Sequence, residues 1–180
     1  RINTKNIHSK GLLENLGHAI KIALDLKISK KIIEKTIPKL IFVGRFQYLK
    51  KGKIKNKLHK NEKVMIDGAH ATADAKNLAN YLKTIKLPKY GIWAMTKNKE
   101  PDLFIKEFRN IFHKLVTMPI ENENSSVSAN ELNKIAIKNK INSEVSNNFI
   151  DALKKISNKE KKLIVCFGSL YNCGNILNKN

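Results

Sequence analysis

Val64-Met65-Ile66-Asp67-Gly68-Ala69-His70 decides the fold. Residues 63–67 are a short apolar run closing on an acid, which is how a strand buried on both faces reads, and Gly68 ends it with a turn. Downstream, Ala75, Leu78, Ala79 and Leu82 recur at i, i+3, i+4 and i+7 and so share one side of a helix. The same strand-then-helix unit repeats. Residues 90–95 predict a second strand. Pro101 and Asp102 open a helix as a first-turn proline and acid do, with Phe104, Phe108, Ile111, Phe112 and Leu115 facing the core. Residues 115–120 predict a third strand, and Ser128-Ala129-Asn130-Glu131 is a capping box ahead of Leu132, Ile135 and Ala136. Phe149, Ala152, Leu153 and Ile156 mark one more helix, and residues 163–167 are an unbroken apolar strand running into Gly168. This alternation predicts an α/β, Rossmann-like domain: a mostly parallel sheet with helices on both faces.

Upstream the pattern is helical. Leu12, Leu16, Ala19, Ile20, Ala23 and Leu24 line one face of a helix over residues 11–26. A second helix follows from Ser29, its expected cap, to about Lys35, and Pro38 places its end a residue or two earlier. Residues 41–49 are rich in β-branched and aromatic side chains. Residues 50–62 are lysine-rich, broken by Gly52, with only Ile54 and Leu58 apolar, and predict a hairpin-like loop or exposed ribbon. The expected division is therefore two helices over residues 1–40 and the Rossmann-like domain over residues 41–180.

Composition narrows the classes of function. The 180 residues include 42% hydrophobic and 28% charged side chains, a globular balance, and no apolar run approaches the roughly 18 residues of a membrane span. Two cysteines, Cys166 and Cys173, make neither a disulfide framework nor a zinc site, and read as inert thiols. Arg1 is not an initiator methionine and no leader follows it, so the chain reads as a cytoplasmic fragment. The formal net charge is +20, which would attract nucleic acid. Apart from Arg1, Arg45 and Arg109 every Lys/Arg cation is lysine, and residues 50–60 carry no Phe, Trp or Tyr on which bases would stack. The charge is read as compositional, and a basic nucleic-acid-binding module is kept as an alternative.

In a doubly wound sheet, ligands bind beyond the carboxyl ends of strands. Three segments qualify. Asp67 suits a ribose, metal or cation and His70 a substrate carboxylate or a moving proton, against the plainer reading of a turn and a helix cap. In Phe167-Gly168-Ser169-Leu170-Tyr171, hydroxyls at Ser169 and Tyr171 beside new helix amides suit an anion, against a serine cap and a core tyrosine. In Gly44-Arg45-Phe46-Gln47, an arginine in a lysine-using chain suits a phosphate or carboxylate, against an ordinary surface arginine. There is no phosphate-cradling G-x-x-x-x-G-K-[ST], since Gly52-Lys53 precedes Ile54 and Gln47 stands where the first glycine would be. Nor is there a G-x-G-x-x-G, a G-x-S-x-G or an H-E-x-x-H. The chain carries nothing that would hydrolyse ATP unaided.

In order, Leu13-Glu14-Asn15, Gly44-Arg45-Phe46-Gln47, Ile66-Asp67-Gly68-Ala69-His70 and Gly168-Ser169-Leu170-Tyr171 resemble the Glu-Asn-Ala, Pro-Gly-Arg-x-Gln, Asp-Gly-Ala-His-Asn and Gly-Ser-Leu-Tyr segments of the C-terminal part of folylpolyglutamate synthase and dihydrofolate synthase, members of the Mur ligase superfamily. The resemblance implies a Mur ligase C-terminal domain preceded by the last two helices of a central ATPase domain. It implies ATP-dependent amide formation between a folate carboxylate and glutamate through an acyl phosphate. By that resemblance Asn15, Arg45 and Asp67 contact ATP, His70 is the catalytic residue orienting the incoming glutamate, and Ser169 and Tyr171 hold it. Magnesium ligands, Walker loop and folate cleft fall mostly on the missing central domain, so no metal ligand is assigned to this chain and the chain alone is expected to be inactive. The expected partners are glutamate, folate and a separately encoded N-terminal ATPase portion, with no membrane.

Four positions depart from the family pattern. Ala71 replaces the last Asn of the hallmark, Asn98-Lys99-Glu100 stands for Asp-Lys-Asp, Val43 for proline, and Ser9-Lys10-Gly11-Leu12 for Gly-Lys-His-Gln. They fit half of a ligase encoded in two pieces, or a folded remnant without activity.

Overall fold

The computed structural model describes Thr4 and residues 7–180, in two compact units, one ending at Val43 and the other spanning Gly44–Asn180. Arg1 lies outside the described residues.

The first unit is helical. Helix α1 (Lys10–Asp25) starts at Ser9, whose Oγ accepts the Leu12 N–H at 3.2 Å. Helix α2 (Lys30–Thr36) starts at Ser29, but the hydroxyl expected to cap it makes no cap bond; the Ser29 carbonyl alone accepts, from Ile32 and Ile33. A 3-10 turn, Ile37–Lys39, closes the unit around Pro38. Leu16, Ile33 and Ile37 are buried with Leu12 and Ile20 packed against them. Two helices cannot enclose all the apolar surface they carry: Ile22, Leu26 and Ile32 are exposed, and a groove of about 220 Å³ runs between Leu16, Ile20, Ala23, Ile32 and Leu40. Among the described residues no helix is long and apolar enough to cross a membrane.

The second unit is a six-stranded sheet of β1 (Gln47–Tyr48), β2 (Glu62–Asp67), β3 (Lys89–Trp93), β4 (Lys114–Thr117), β5 (Ser143–Val145) and β6 (Lys162–Phe167), in the order β1-β2-β6-β3-β4-β5. All neighbours are parallel except β1, which runs antiparallel to β2. The sheet is wrapped by α4 (Thr72–Lys83), α5 (Pro101–Lys106), α6 (Ala129–Lys138), α7 (Phe149–Ile156) and α8 (Leu170–Lys179). Strand alternation sorts the core into two layers. Val64, Ile66, Ile92, Val116, Ile164 and Cys166 pack with Phe149, Ala152 and Ile156 of α7 and Cys173 and Ile176 of α8. Trp93 and Phe167 meet Phe104 of α5, with Phe108 and Phe112 extending the ring cluster. Helix α4 buries Ala75, Leu78, Ala79 and Leu82, the four residues its periodicity picks out.

Three stretches differ from the expectation. Residues 41–49 yield only two residues of strand, because Gly44 and Phe46 have φ of 67° and 46° and leave extended geometry. Residues 50–62 are no ribbon: they hold a short helix, α3 (Lys53–Asn56), whose Ile54 is 1% exposed. Asn180 caps that helix, its carbonyl accepting from Lys53 N–H and its Oδ1 from Ile54 N–H. Strand β5 was not anticipated, since three residues with Ser143 and Glu144 among them present no apolar run.

At the amino-terminal end of the sheet, Glu62 and Lys162 are register partners and both 0% exposed. The Glu62 carboxylate accepts from His59 N–H at 3.0 Å, Ser157 Oγ–H at 2.7 Å and Asn158 N–H at 2.8 Å. Lys162 Nζ donates to the Ile156 carbonyl at 2.9 Å and lies 4.3 Å from the Tyr90 ring centroid.

Candidate functional site

The other end of the sheet gathers the residues of interest. Asp67, Trp93 and Phe167 end β2, β3 and β6 at one level, Asp67 and Trp93 each paired with Phe167, so the loops after these strands leave side by side. Gly68 makes this possible. A Cβ there would come within 2.2 Å of Leu170 Cδ2 and 3.2 Å of Leu170 Cα, so the turn after β2 rests directly on the start of α8.

Asp67 organises the first loop. Its Oδ2 accepts from Phe46 N–H at 2.8 Å and its Oδ1 from Ala69 N–H at 2.7 Å. Gly68 N–H donates to the Gly44 carbonyl at 2.6 Å and Gly44 N–H to Gln47 Oε1 at 2.8 Å, so the Gly44–Gln47 turn is pinned to the end of β2. Arg45 Nη1 stands 3.8 Å from Asp67 Oδ1 and 4.0 Å from Asp74 Oδ2, beyond hydrogen-bond length, and its side chain is 30% exposed. The guanidinium therefore keeps donors for an outside anion.

Asp67 is 2% exposed, and this burial pushes its carboxyl up to about 6, against the two N–H donors and Arg45, which pull it down. A group whose folded pKa is raised adds stability below its unfolded pKa and loses it as pH rises through the folded one. Between pH ~4 and ~6 the Asp67 contribution to unfolding free energy should fall by roughly 2–3 kcal/mol. Unfolding curves of the wild type and Asp67→Asn across this window measure it; parallel pH profiles would remove Asp67 as the cause.

His70 comes next. Its Nδ1 is 2.8 Å from the Gly68 carbonyl and 3.7 Å from Asp74 Oδ2, so Nδ1–H donates inward and the neutral ring leaves Nε2 to accept. His70 is not the cap of α4, a place taken by Ala71. Ser169 is 3% exposed and does cap α8, its Oγ accepting from Tyr171 and Asn172 N–H at 3.1 and 3.5 Å. Tyr171 is 66% exposed, not a core residue.

His70, Ser169 and Tyr171 line one cleft of about 430 Å³. Arg45 and Asp67 sit beside it, through the turn that Asp67 shares with His70. Asn15 lies on α1 in the first unit, exposed. The rest of the cleft wall was not anticipated as a site: Thr96, Asn98 and Lys99 after β3, and Glu123 and Ser125 after β4. The carboxyl-end rule, applied to those two strands as to β2 and β6, would have found them. Asn98-Lys99-Glu100 enters the sequence reading only where it stands for Asp-Lys-Asp, with Lys99 matching and Asn98 and Glu100 departing.

Burial also raises both thiols, Cys166 well above its ordinary range and Cys173 to about 12, which fits inert cysteines. Among the described residues no group of three or more His, Cys, Asp or Glu is placed to hold a metal.

Residues 50–179 match the sequence family described as dihydrofolate synthetase, C-terminal domain. No curated protein sequence matches the chain. Among solved structures the chain is similar to folylpolyglutamate synthase from Thermotoga maritima, at 24% identity and a TM-score of 0.71 over 94% of this chain and 38% of that one. It is similar to Mycobacterium tuberculosis folylpolyglutamate synthase complexed with ADP and AMPPCP, at 16% identity and a TM-score of 0.79 over 95% and 40%. The E. coli FolC structure with DHPP and ADP matches at 16% identity and a TM-score of 0.68 over 83% and 34%. These likenesses show a shared fold. The chain spans at most about two fifths of the length of these proteins.

Proposed function

Because the chain belongs to the family of dihydrofolate synthetase C-terminal domains, we propose that it is the glutamate- and nucleotide-contacting part of an ATP-dependent ligase that joins glutamate to a folate carboxylate through an acyl phosphate. The observation that carries this reading is the convergence of His70, Ser169 and Tyr171 on one cleft beside the Arg45–Asp67 turn. Solved relatives complexed with ADP, AMPPCP and DHPP support the nucleotide and folate parts of it.

In this reading Arg45 meets a phosphate oxygen of ATP, which supplies the activated carboxylate when bound. Asp67 acts one step away by fixing the turn that carries Arg45. The hydroxyls of Ser169 and Tyr171 donate to the carboxylate of glutamate. His70 Nε2 orients the incoming amine and takes its proton as it attacks. Magnesium ligands are proposed, by the same family reading, to lie mostly on an ATPase portion. That portion is proposed to act together with these residues. The isolated chain is then inactive, in a cytoplasmic setting.

Mixing the chain with its N-terminal portion should yield phosphate release that depends on ATP, magnesium, glutamate and both chains. His70→Ala should lower that release by about 100-fold. A mixture that folds and associates but releases no phosphate would leave the remnant reading in its place.

A further inference from the structure

The cleft carries one feature that the motifs leave without a role. Glu123 stands in its wall, on the loop after β4, and this loop is rigidly held. Lys97 N–H donates to the Ser125 carbonyl at 2.7 Å, Val127 N–H to the Met95 carbonyl at 2.8 Å, and Ile120 N–H to Ser126 Oγ at 2.8 Å. From the other side, Asn175 Nδ2–H of α8 donates to the Glu121 carbonyl at 2.7 Å, and Lys179 pairs with the Glu121 carboxylate.

The Glu123 carboxylate is oriented by its neighbour. Ser125 donates to Oε1 twice, from its Oγ–H at 2.6 Å and its N–H at 2.9 Å, and these bonds hold the carboxyl below its usual range. Oε2 makes no hydrogen bond among the described residues. Nor does Glu123 form an ion pair among them, although the chain carries 35 Lys and Arg against 15 Asp and Glu. Lys99, in the same wall, is likewise without an ion-pair partner among the described residues. The cleft therefore presents one bare carboxylate from the β4 side and one bare ammonium from the β3 side. Such a lining matches a ligand that carries both a cation and anions.

We propose that Glu123 receives the ammonium group of the α-amino acid entering this cleft, and so makes the cleft select an amino acid over the same acid lacking its amine. This rests on the reading of the cleft as the glutamate site. An ionised carboxylate anchors the charged amine through a charge-assisted hydrogen bond, while Lys99 and the Tyr171 hydroxyl, in the same wall, take the carboxylates. Glu123 is a holding group; the proton of the amine leaves by another route, to His70.

Equilibrium binding of L-glutamate and of glutarate to the full chain tests it. The wild type should bind glutamate at least about tenfold more tightly than glutarate, the difference one charge-assisted bond makes. Glu123→Gln should abolish that preference while glutarate binding stays within about twofold, and Ser125→Ala should shrink it. Unchanged Trp93 fluorescence confirms that the variants fold. A preference that survives in Glu123→Gln, or equal weakening of both ligands, overturns the role of Glu123 and leaves the glutamate site standing. Absence of binding by either ligand to the wild type overturns the glutamate site itself, and this inference with it.

Discussion

Gly168→Ala is expected to lower the free energy of unfolding by about 3–5 kcal/mol. Gly168 has a φ of 108°, a conformation that L side chains rarely adopt, and an added Cβ would sit 2.3 Å from the Ala94 carbonyl oxygen and 2.7 Å from Trp93 Cδ1. Neither neighbour can move freely, since Ala94 continues β3 and Trp93 is 0% exposed. A domain of this kind has about 5–15 kcal/mol in total, so the variant would be close to unfolding at room temperature. Urea denaturation followed by the fluorescence of Trp93, the single tryptophan, measures it. Gly174→Ala is the internal comparison: it lies inside α8 with no atom within 4 Å of the added Cβ, and should raise stability by about 0.5–1 kcal/mol. A loss below about 1 kcal/mol for Gly168→Ala would mean that the end of β3 yields, contrary to its packing.

Glu62→Ala should cost about 3–5 kcal/mol. The substitution strips acceptors from His59 N–H, Ser157 Oγ–H and Asn158 N–H together and leaves three donors unsatisfied around a site that is 0% exposed. Glu62→Gln keeps the shape but turns one acceptor into a donor facing donors, and should cost about half as much. The same denaturation experiment separates the two; equal stabilities for wild type and Glu62→Ala would show that water replaces the carboxylate.

The sequence made the parallel sheet legible because its central strands have no polar face. Residues 64–66 and 163–167 are apolar without interruption, which only burial on both sides tolerates, and α4 and α7 carry their core residues at helical spacing. Residues 41–62 misled for an identifiable reason. Their β-branched and aromatic composition argues for strand, while the backbone is set by Gly44 and Phe46 in the left-handed region and by Asn180, 126 residues from the Ile54 it caps. Propensity is local and these constraints are not. The cleft was half legible. His70, Ser169 and Tyr171 follow close on strand ends; Glu123 also lies on the loop after a strand, where the carboxyl-end rule points, but the bonds to β3 and α8 that hold this loop have no local pattern to announce them.

The order β2-β6-β3 places the strand made last at the middle of the sheet. A ribosome delivers β2 and β3 early, yet these two are never neighbours, and the nascent chain holds their facing edges unpaired until residues 162–167 emerge. The step that completes the sheet joins β6 to a strand 100 residues upstream, so closure entropy falls late and folding should be slow for a domain of this size. Deleting residues 162–167 would therefore remove a keystone, not an edge.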